Sequence, residues 1–418
     1  MSPTAPLESP PVALASLVRN ETWRLVARLT RIVGDVDLAE ELAPAALVAA
    51  LETWPVTGAP ENPGAWLMAT AKNRALDALR RRRNAQSREG DVTWHEEALR
   101  GASFDDAPDA VHDDKLRLVF VCCHPRLPRE QQAALTLRLV CGLTTDEIAR
   151  AFLAAEPTIA QRIVRAKKTI KDDALPYEVP GATQLAERLP SVLEVVYLVF
   201  NEGYAAARGD ALISKDMCVE ALRLGHALAE LLPDEPEVLG LVALMEIQSS
   251  RTDARIGDDG ELVLLADQDR ARWDTEAIAR GLGLLARATA AERRGSYVVQ
   301  AQIAACHARA ASAAATDWRA IALLYEDLGR IAPSPIVELN RAVAVSLADG
   351  PAAGLVVLGA IADHPELARY HLLPSVRADM LRRLGDKEGA RVDYTRAIAL
   401  STNEREKAFL ERRLREVS

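Results

Sequence analysis

The chain has 418 residues, which is enough for about two to four domains with large cores. Its net charge is −9, and a protein of this balance is expected to bind naked DNA poorly unless a partner supplies the electrostatic attraction. No apolar run is long enough to span a membrane and the N-terminus lacks a secretory signal pattern, so we expect a cytoplasmic protein that does not contact a membrane.

The residue usage predicts an all-α protein. Hydrophobic residues make up 49% of the chain but aromatic residues only 4%, with much alanine and few β-branched runs. The first two helices are predicted over residues 12–33 and 36–53, separated by a Gly-Asp break. Pro44 lies inside the second helix, where a proline is expected to kink it.

The third predicted helix, residues 65–83, carries a strongly basic side. Six cations fall in the twelve residues 72–83, which is more than solubility requires. These cations either face a nucleic-acid backbone or form a solvated helix end that favours the helix dipole. The apolar side is expected to pack on the first two helices through Trp66, Leu67, Ala71, Leu76 and Leu79.

Residues 86–115 are acidic and contain glycine and proline, so they predict a linker with at most a short helix inside. A second helical unit begins near Leu116. The chain has five scattered cysteines, which predict reduced and mostly buried thiols. Cys122, Cys123 and His124 are adjacent, but no second ligand pair stands at metal-binding spacing, so we predict buried side chains and no metal.

Residues 142–171 predict two short helices joined by a tight turn. Thr144 and Glu147 have the spacing of a capping box, and the first helix is expected to end near Leu153. Pro157 is expected to follow the break, with Thr158 capping the second helix. Apolar residues recur along that helix at the spacing of a buried face: Ile159, Ile163, Ala166 and Ile170.

The opposite face of this second helix is basic, with five cations and no acid between residues 157 and 171. Gln161, Arg162, Arg165 and Lys168 lie on it, with Lys167 and Lys171 beside them. The pattern predicts a helix-turn-helix whose second helix enters the major groove of DNA. The alternative is an amphipathic hairpin with a solvated basic face.

Two segments in this order resemble the sigma-70 superfamily, in particular the small extracytoplasmic-function (ECF) sigma factors. They are TWPVTGAPENPGAWLMATAKNRALDALRRRR and TIAQRIVRAKKTI, and the resemblance covers about the first 175 residues. It implies that residues 1–85 form a three-helix sigma domain two, which binds core RNA polymerase and opens the minus-ten promoter element. It also implies an acidic linker over 86–115 and a helix-turn-helix domain four over 116–176, which reads the minus-thirty-five element.

The resemblance also assigns site residues. Those implied to contact the minus-ten element are Trp66, Asn73, Asp77, Arg80 and Arg81, and Lys72 and Arg74 are added as candidates because they lie on the same outward side. Those implied to contact the minus-thirty-five element are Thr158, Gln161, Arg162 and Arg165, and Lys168 is added as a candidate from the same basic face. Those implied to bind polymerase, less firmly because Pro44 and Ala45 stand where Gln and Glu are common, are Asp35, Leu38, Glu40, Glu41 and Leu42. The acidic linker is either a nucleic-acid mimic for the polymerase channel or a solvated spacer.

The C-terminal half predicts successive helices, among them residues 270–288 and 318–331, that form an α-solenoid-like repeat domain. We expect a helical extension over 177–290 and tetratricopeptide-like repeats over 291–418, because Leu-Gly-x-Ile-Ala recurs 30 residues apart at 328 and 358. YLVFNEGYAAARGD and PIVELNRAVAVSLADGP are similar to the ECF subgroup that bears such an extension. Candidate regulatory residues, for which capping or contacts between helices are the alternative, are Asn201, Glu202, Tyr204 and a pair expected to face inward, Asn340 and Arg341.

The resulting hypothesis is a bacterial, nucleoid-associated ECF sigma factor whose partners are core RNA polymerase and promoter DNA. Its C-terminal helical domain is expected to control it, through a regulatory protein or an intramolecular contact. The alternative is a helix-turn-helix regulator with a helical-repeat sensor that never joins polymerase. We see no nucleophile–base pair, no metal-ligand set and no phosphate loop, so we predict no enzymatic activity and no cofactor.

Overall fold

The computed structural model describes residues 24–86 apart from 32, 34 and 59, residues 108–205 apart from 153 and 179, and residues 211–417 apart from 256, 258–262, 292–293 and 402–403. Every regular element in this part of the chain is a helix, so the all-α prediction is confirmed. Two compact units meet in sequence at residue 231, and each is described by itself: a first unit, Met1–Leu231, and a second unit, Leu232–Ser418. This boundary divides the segment 177–290 that the sequence assigns to a single extension.

The first unit holds nine described helices. They are α1 (24–31), α2 (Val36–Thr57), α3 (Pro63–Gln86), α4 (Pro108–Cys122), α5 (Arg129–Leu139), α6 (Thr145–Ala151), α7 (Glu156–Asp172), α8 (Ala182–Ala205) and α9 (Ala211–Leu231). The predicted first helix extends N-terminal to residue 24, and that part lies outside the described residues.

Helix α2 corrects one prediction. It continues through Pro44 and Pro55 and ends at Thr57 rather than at residue 53. The reason lies at Gly58, whose φ of 81° turns the chain and whose N–H donates to the carbonyl of Trp54 at 2.9 Å.

Helix α4 begins within the segment that the sequence predicts to be a linker. It begins at Pro108, so residues 108–115 are helical and not linker, while residues 87–107 lie outside the described part. Asp114 explains the difference, because it is buried between Arg31, whose Nε lies 3.3 Å from its Oδ1, and Arg117, whose Nη1 lies 3.0 Å from the same atom. A buried carboxylate needs such partners, and these two arginines lie on different helices.

The second unit holds nine described helices and short 3₁₀ turns. The helices are α10 (Pro236–Ser249), α11 (Thr275–Thr289), α12 (Ser296–Arg309), α13 (Trp318–Ile331), α14 (Pro335–Ala348), α15 (Pro351–Gly359), α16 (Leu372–Leu384), α17 (Lys387–Leu400) and α18 (Glu404–Val417). The bounds of α13 agree with the sequence pattern. Helix α11 starts later than the predicted residue 270, because Asp274 caps it and residues 270–272 form a 3₁₀ turn.

The second unit has small apolar cores that follow one another along the chain. Val299, Ile321 and Ala344 belong to the core shared by α12, α13 and α14. The next core joins α14 to α15 and α16, and the last joins α16 to α17 and α18. Because each core shares a helix with the next, this serial arrangement is that of an α-solenoid.

Candidate nucleic-acid interface

The predicted capping box at the start of α6 is present. The Thr144 hydroxyl accepts from the backbone N–H of Glu147 at 3.2 Å, and the Glu147 carboxylate accepts from the backbone N–H of Thr144 at 2.7 Å. Two N–H groups that would otherwise lack partners are thereby satisfied. The first helix of the helix-turn-helix therefore begins at Thr145 as the sequence indicates.

Helix α7 begins earlier than predicted, so the assignment of Thr158 as its cap is wrong. The helix starts at Glu156, Ala155 precedes it without a side-chain bond, and Pro157 stands in its first turn. A proline fits there because the first helical residues have no intrahelical acceptor for their N–H groups. Thr158 is instead an exposed residue of the helix.

The two faces of α7 are those that the sequence predicts. Its buried residues are Ile159, Ile163, Ala166 and Ile170. Thr158, Gln161, Arg165 and Lys168 are exposed. The sequence reasoning missed Val164, which is 58% exposed at helical spacing from Gln161 and Lys168. An exposed apolar side chain among polar ones suits contact with a thymine methyl group.

Arg162, on the edge of this face, is held by a neighbouring helix. Its Nη2 lies 2.6 Å from Oε2 of Glu130, in the first turn of α5. Both residues line an open pocket of about 540 Å³ between the start of α5 and the first half of α7. Within the described part of the chain, Arg165 makes no ion pair with any carboxylate.

Lys167 is directed away from the exposed face, towards α2. Its Nζ lies 2.9 Å from Oδ1 of Asp37 and also contacts the carboxylate of Glu40. Arg138 of α5 donates from Nε to Glu40 at 2.5 Å. Burial raises the pKa of the Glu40 carboxyl, but Lys167 and Arg138 outweigh it and hold that pKa below its ordinary value. The α2–α7 contact is therefore ionic at neutral pH.

The residues implied to bind polymerase fall into two groups in the structure. Leu38 and Leu42 are buried in the first unit, and the Asp35 carboxylate caps α2 by accepting from the N–H of Leu38 at 3.1 Å. Glu40 is engaged in the ion pairs with α5 and α7, and Glu41 is exposed. The sequence reasoning missed an exposed stripe along the rest of α2 at helical spacing: Pro44, Val48, Leu51, Pro55 and Val56.

On α3, Leu67 and Ala71 are buried as predicted, together with Met68 and Ala75. Leu76 is half-buried, and the side chain of Leu79 lies outside the described part. Trp66 is half-buried, edge-on to Trp54 with the ring centroids 5.6 Å apart.

The residues of α3 implied to contact the minus-ten element lie along its polar side. Asn73 and Asp77 are exposed one turn apart, while Lys72 and Arg74 are half-buried. The side chains of Arg80 and Arg81 lie outside the described part.

Helix α8 of the extension packs on α5, inside the first unit. Ser191 donates to Oε1 of Gln132 at 2.8 Å, and Arg129 forms an ion pair with Glu194. The next residue after Arg129 is Glu130, the partner of Arg162. A short series of contacts thus leads from α8 through the start of α5 to α7.

The candidate regulatory residues are dispersed. Asn201 is half-buried, the side chain of Glu202 lies outside the described part, and Tyr204 stacks on Phe200 at 5.6 Å between centroids. The expectation that Asn340 and Arg341 form an inward pair is wrong, because Asn340 is exposed and Arg341 pairs with Glu338 at 2.8 Å on the same helix.

The cysteine motif is part of the core. Cys122 and Cys123 are buried, as predicted, and burial raises the pKa of the Cys123 thiol to about 12. Such thiols stay protonated and are poor metal ligands. Among the residues that the structure describes, no cluster of three metal-ligating side chains is present, and no helix is long and apolar enough to cross a membrane.

Comparisons with known proteins agree with this geometry. Residues 17–85 match the family model of Sigma-70 region 2, residues 117–170 match that of Sigma-70, region 4, and residues 188–289 match a family of unknown function (DUF6596). A protein of Rhizobium meliloti (strain 1021), described as uncharacterized, is 44% identical over 393 residues, which are 92% of this chain and 91% of that protein. No solved structure matches significantly.

The region 2 match covers α2 and all but the last residue of α3, and the region 4 match covers α5, α6 and all but the last two residues of α7. The region 2 match accounts for the basic helix over 65–83. A helix-turn-helix regulator that acts without polymerase would give no reason for that helix. Sigma-70 factors are non-catalytic subunits that bind RNA polymerase and promoter DNA. With both sigma regions present in order, on helices whose exposed and buried faces suit those roles, this chain belongs to the sigma-70 family.

Proposed function

We propose that this protein is an ECF-type sigma factor that directs core RNA polymerase to a particular set of bacterial promoters in the cytoplasm and opens them. The observation that carries the proposal is the presence within one unit of two separate helices with exposed polar faces, α3 and α7, in the segments that match sigma-70 regions 2 and 4. Arg165, Lys168 and Gln161 on α7 are suited to phosphates and base edges of duplex DNA. Asn73, Asp77 and the half-buried Trp66 on α3 are suited to an unpaired strand, which needs polar readers and stacking faces.

We place the polymerase contact on the exposed stripe of α2. Val48 is 51%, Leu51 49% and Val56 86% exposed, and neighbouring apolar side chains of this kind indicate a protein interface. Glu41 adds an exposed carboxylate at one end of the stripe.

The C-terminal helices control activity in this proposal, and residues 291–418 form tetratricopeptide-like repeats. The contacts of Ser191 with Gln132 and of Glu194 with Arg129 support control by the extension, because they join α8 to the helix that holds Arg162. A change at α8 would thus reach the DNA-facing helix through side chains already in contact.

Transcription reconstituted from core polymerase, the full chain and a library of genomic fragments tests the proposal. We expect transcripts from a few discrete start sites that are lost without the protein. The matched variants are Leu51→Glu on α2 and Leu384→Glu on α16, since both leucines are 49% exposed. Leu51→Glu should abolish initiation and Leu384→Glu should not. Tight binding to duplex DNA without any start site would favour a regulator that acts without polymerase.

A second test concerns strand opening. Asn73→Ala should reduce permanganate reactivity of the unpaired strand while closed-complex binding is retained, because a base reader acts only on a base outside the duplex. Equal loss of both signals would remove Asn73 from that role.

A further inference from the structure

Arg162 differs from the other cations of the exposed α7 face because a carboxylate from another helix holds it. Its side chain is 27% exposed, whereas that of its partner Glu130 is 70% exposed. Arg165, one turn along, is exposed and makes no ion pair within the described part of the chain. The two arginines therefore present different electrostatics to an incoming ligand.

Glu130 stands on the same side as the side chains expected to read DNA. It lines the open pocket with Thr158, Gln161 and Arg165. A carboxylate placed there is repelled by every phosphate, whatever the base sequence. It can, however, accept a hydrogen bond from the N4 amino group of a cytosine.

We propose that Glu130 is a specificity-determining residue of this interface, which keeps Arg162 from contacting phosphates and releases it only to a suitable base edge. The inference rests on the proposed function, because it assumes that α7 enters a major groove. On an arbitrary sequence, Arg162 remains paired with Glu130, so its charge is not available to the phosphates and binding is weaker. At a suitable G·C pair, Arg162 can bind guanine O6 and N7 while Glu130 accepts from cytosine.

The weakness of the ion pair is consistent with this role. An exposed pair contributes little net stability, so a guanine edge that offers two hydrogen bonds can replace it. Specificity is a difference between affinities, and it increases when binding to other sequences is made weaker. Glu130 weakens binding to other sequences, and Arg162 strengthens binding to the suitable one.

Selection from a randomised duplex library by the holoenzyme, formed from core polymerase and the full chain, tests this inference. For Glu130→Gln we expect the sequence preference to disappear at one base pair of the upstream element and to persist at the others. The preference of the holoenzyme for selected over scrambled duplex should fall about fivefold, the value of one exposed ion pair. Arg162→Ala should lose the preference at the same base pair.

Glu156→Gln is the matched control, because Glu156 is an exposed acid in the first turn of α7 that makes no ion pair in the described part of the chain. It removes the same charge close to the same helix and should leave the preference intact. If Glu130→Gln behaves like Glu156→Gln, the inference is overturned while the proposed function stands. If the unaltered holoenzyme enriches no sequence, the proposed function fails and this inference fails with it.

Discussion

Both units bury apolar side chains, but charged side chains join α2 to α5 and α7 in the first unit, whereas apolar cores join successive helices of the second. In the first unit, polar contacts join residues far apart in sequence: Arg138 and Glu40 are 98 residues apart, and the Tyr177 hydroxyl donates at 2.7 Å to the carbonyl of Ala27, 150 residues away. In the second unit, apolar cores join successive helices, and its buried carboxylates are paired with arginines, as in Arg280–Glu246 and Arg377–Asp393.

This difference indicates which contacts are easily separated. When two charged groups separate, water solvates both of them, so the net contribution of an ion pair or hydrogen bond to stability is modest. When two apolar surfaces separate, both become exposed to water and the free energy of their burial is lost. The α2–α7 contact should therefore be a weaker association than the helix pairs of the second unit.

The largest effect is expected at Arg377. It binds Asp393 with both Nε and Nη2, at 2.5 and 2.6 Å, and Asp393 is 1% exposed. Arg377→Ala leaves a buried carboxylate without its partner and should lower the free energy of unfolding of the second unit by about 3 kcal/mol in urea. Arg391→Ala, which removes an exposed pair with Glu388, should have no measurable effect. Equal midpoints for the two variants would contradict the account.

The next effect concerns the close approach of α14 and α15. A Cβ at Gly354 would lie 2.8 Å from the carbonyl oxygen of Ala342 and 2.5 Å from Cβ of Ser346. Gly354→Ala should therefore destabilise the second unit by about 2 kcal/mol in the same denaturation measurement. At Gly359, at the end of α15, a Cβ meets nothing within 4 Å, so Gly359→Ala should be neutral or slightly stabilising. A neutral Gly354→Ala would mean that the two helices are not this close.

A smaller effect is expected at the ionic contact of the first unit. Lys167→Ala removes the ammonium shared by Asp37 and Glu40, while Arg138 still pairs with Glu40. We expect a loss of about 1.5 kcal/mol, measured by hydrogen exchange of α2 and α7. Lys168→Ala, on the exposed face of the same helix, is the control and should not change exchange.

The stability contributed by the α2–α7 contact should decrease as the pH falls. The pKa of Glu40 is lowered in the folded chain, so its contribution is present above the ordinary value of 4.5 and is lost as the pH falls through the folded value. Asp114 acts in the opposite direction, because burial raises its pKa and its ionisation opposes folding. Glu40→Gln should therefore flatten the acid loss of stability in the first unit, and Asp114→Asn should not.

The smallest expected loss of stability comes from the cap of α6, which is compared with the cap predicted at Thr158 but not present. Thr144→Ala removes the capping box of α6 and should destabilise the first unit by about 1 kcal/mol, measured by thermal unfolding. Thr158→Ala, at a residue inside α7, should leave the melting temperature unchanged. The reverse order would restore the cap that the sequence predicts at Thr158.

The sequence predicted those features that depend on neighbouring residues. The buried face of α7 follows from apolar residues at helical spacing, and the bounds of α13 follow from Asp317 before the helix and Ile331 at its end. The start of α7 was misplaced because Pro157 reads equally as the end of a helix and as its first turn. Helix α2 was ended too early for a similar reason, since Pro55 lies within its last turn and Gly58 ends it.

Contacts between distant residues could not be predicted in this way. Nothing local to Glu130 indicates that it meets Arg162, or that Lys167 turns towards α2 and not towards the basic face. Leu38 and Leu42 were assigned to a partner although they belong to the core, because an apolar residue on a helix has the same pattern in either setting. The exposed stripe with Val48 and Leu51 could not be predicted either, because which side of α2 is buried depends on the helices that pack against it.

Association of the full chain with bacterial core RNA polymerase, measured by sedimentation velocity, is the decisive test of a sigma-factor function. We expect a one-to-one complex that Leu51→Glu weakens and Leu384→Glu leaves intact. A chain that sediments separately from the polymerase at every concentration, although folded, would contradict it.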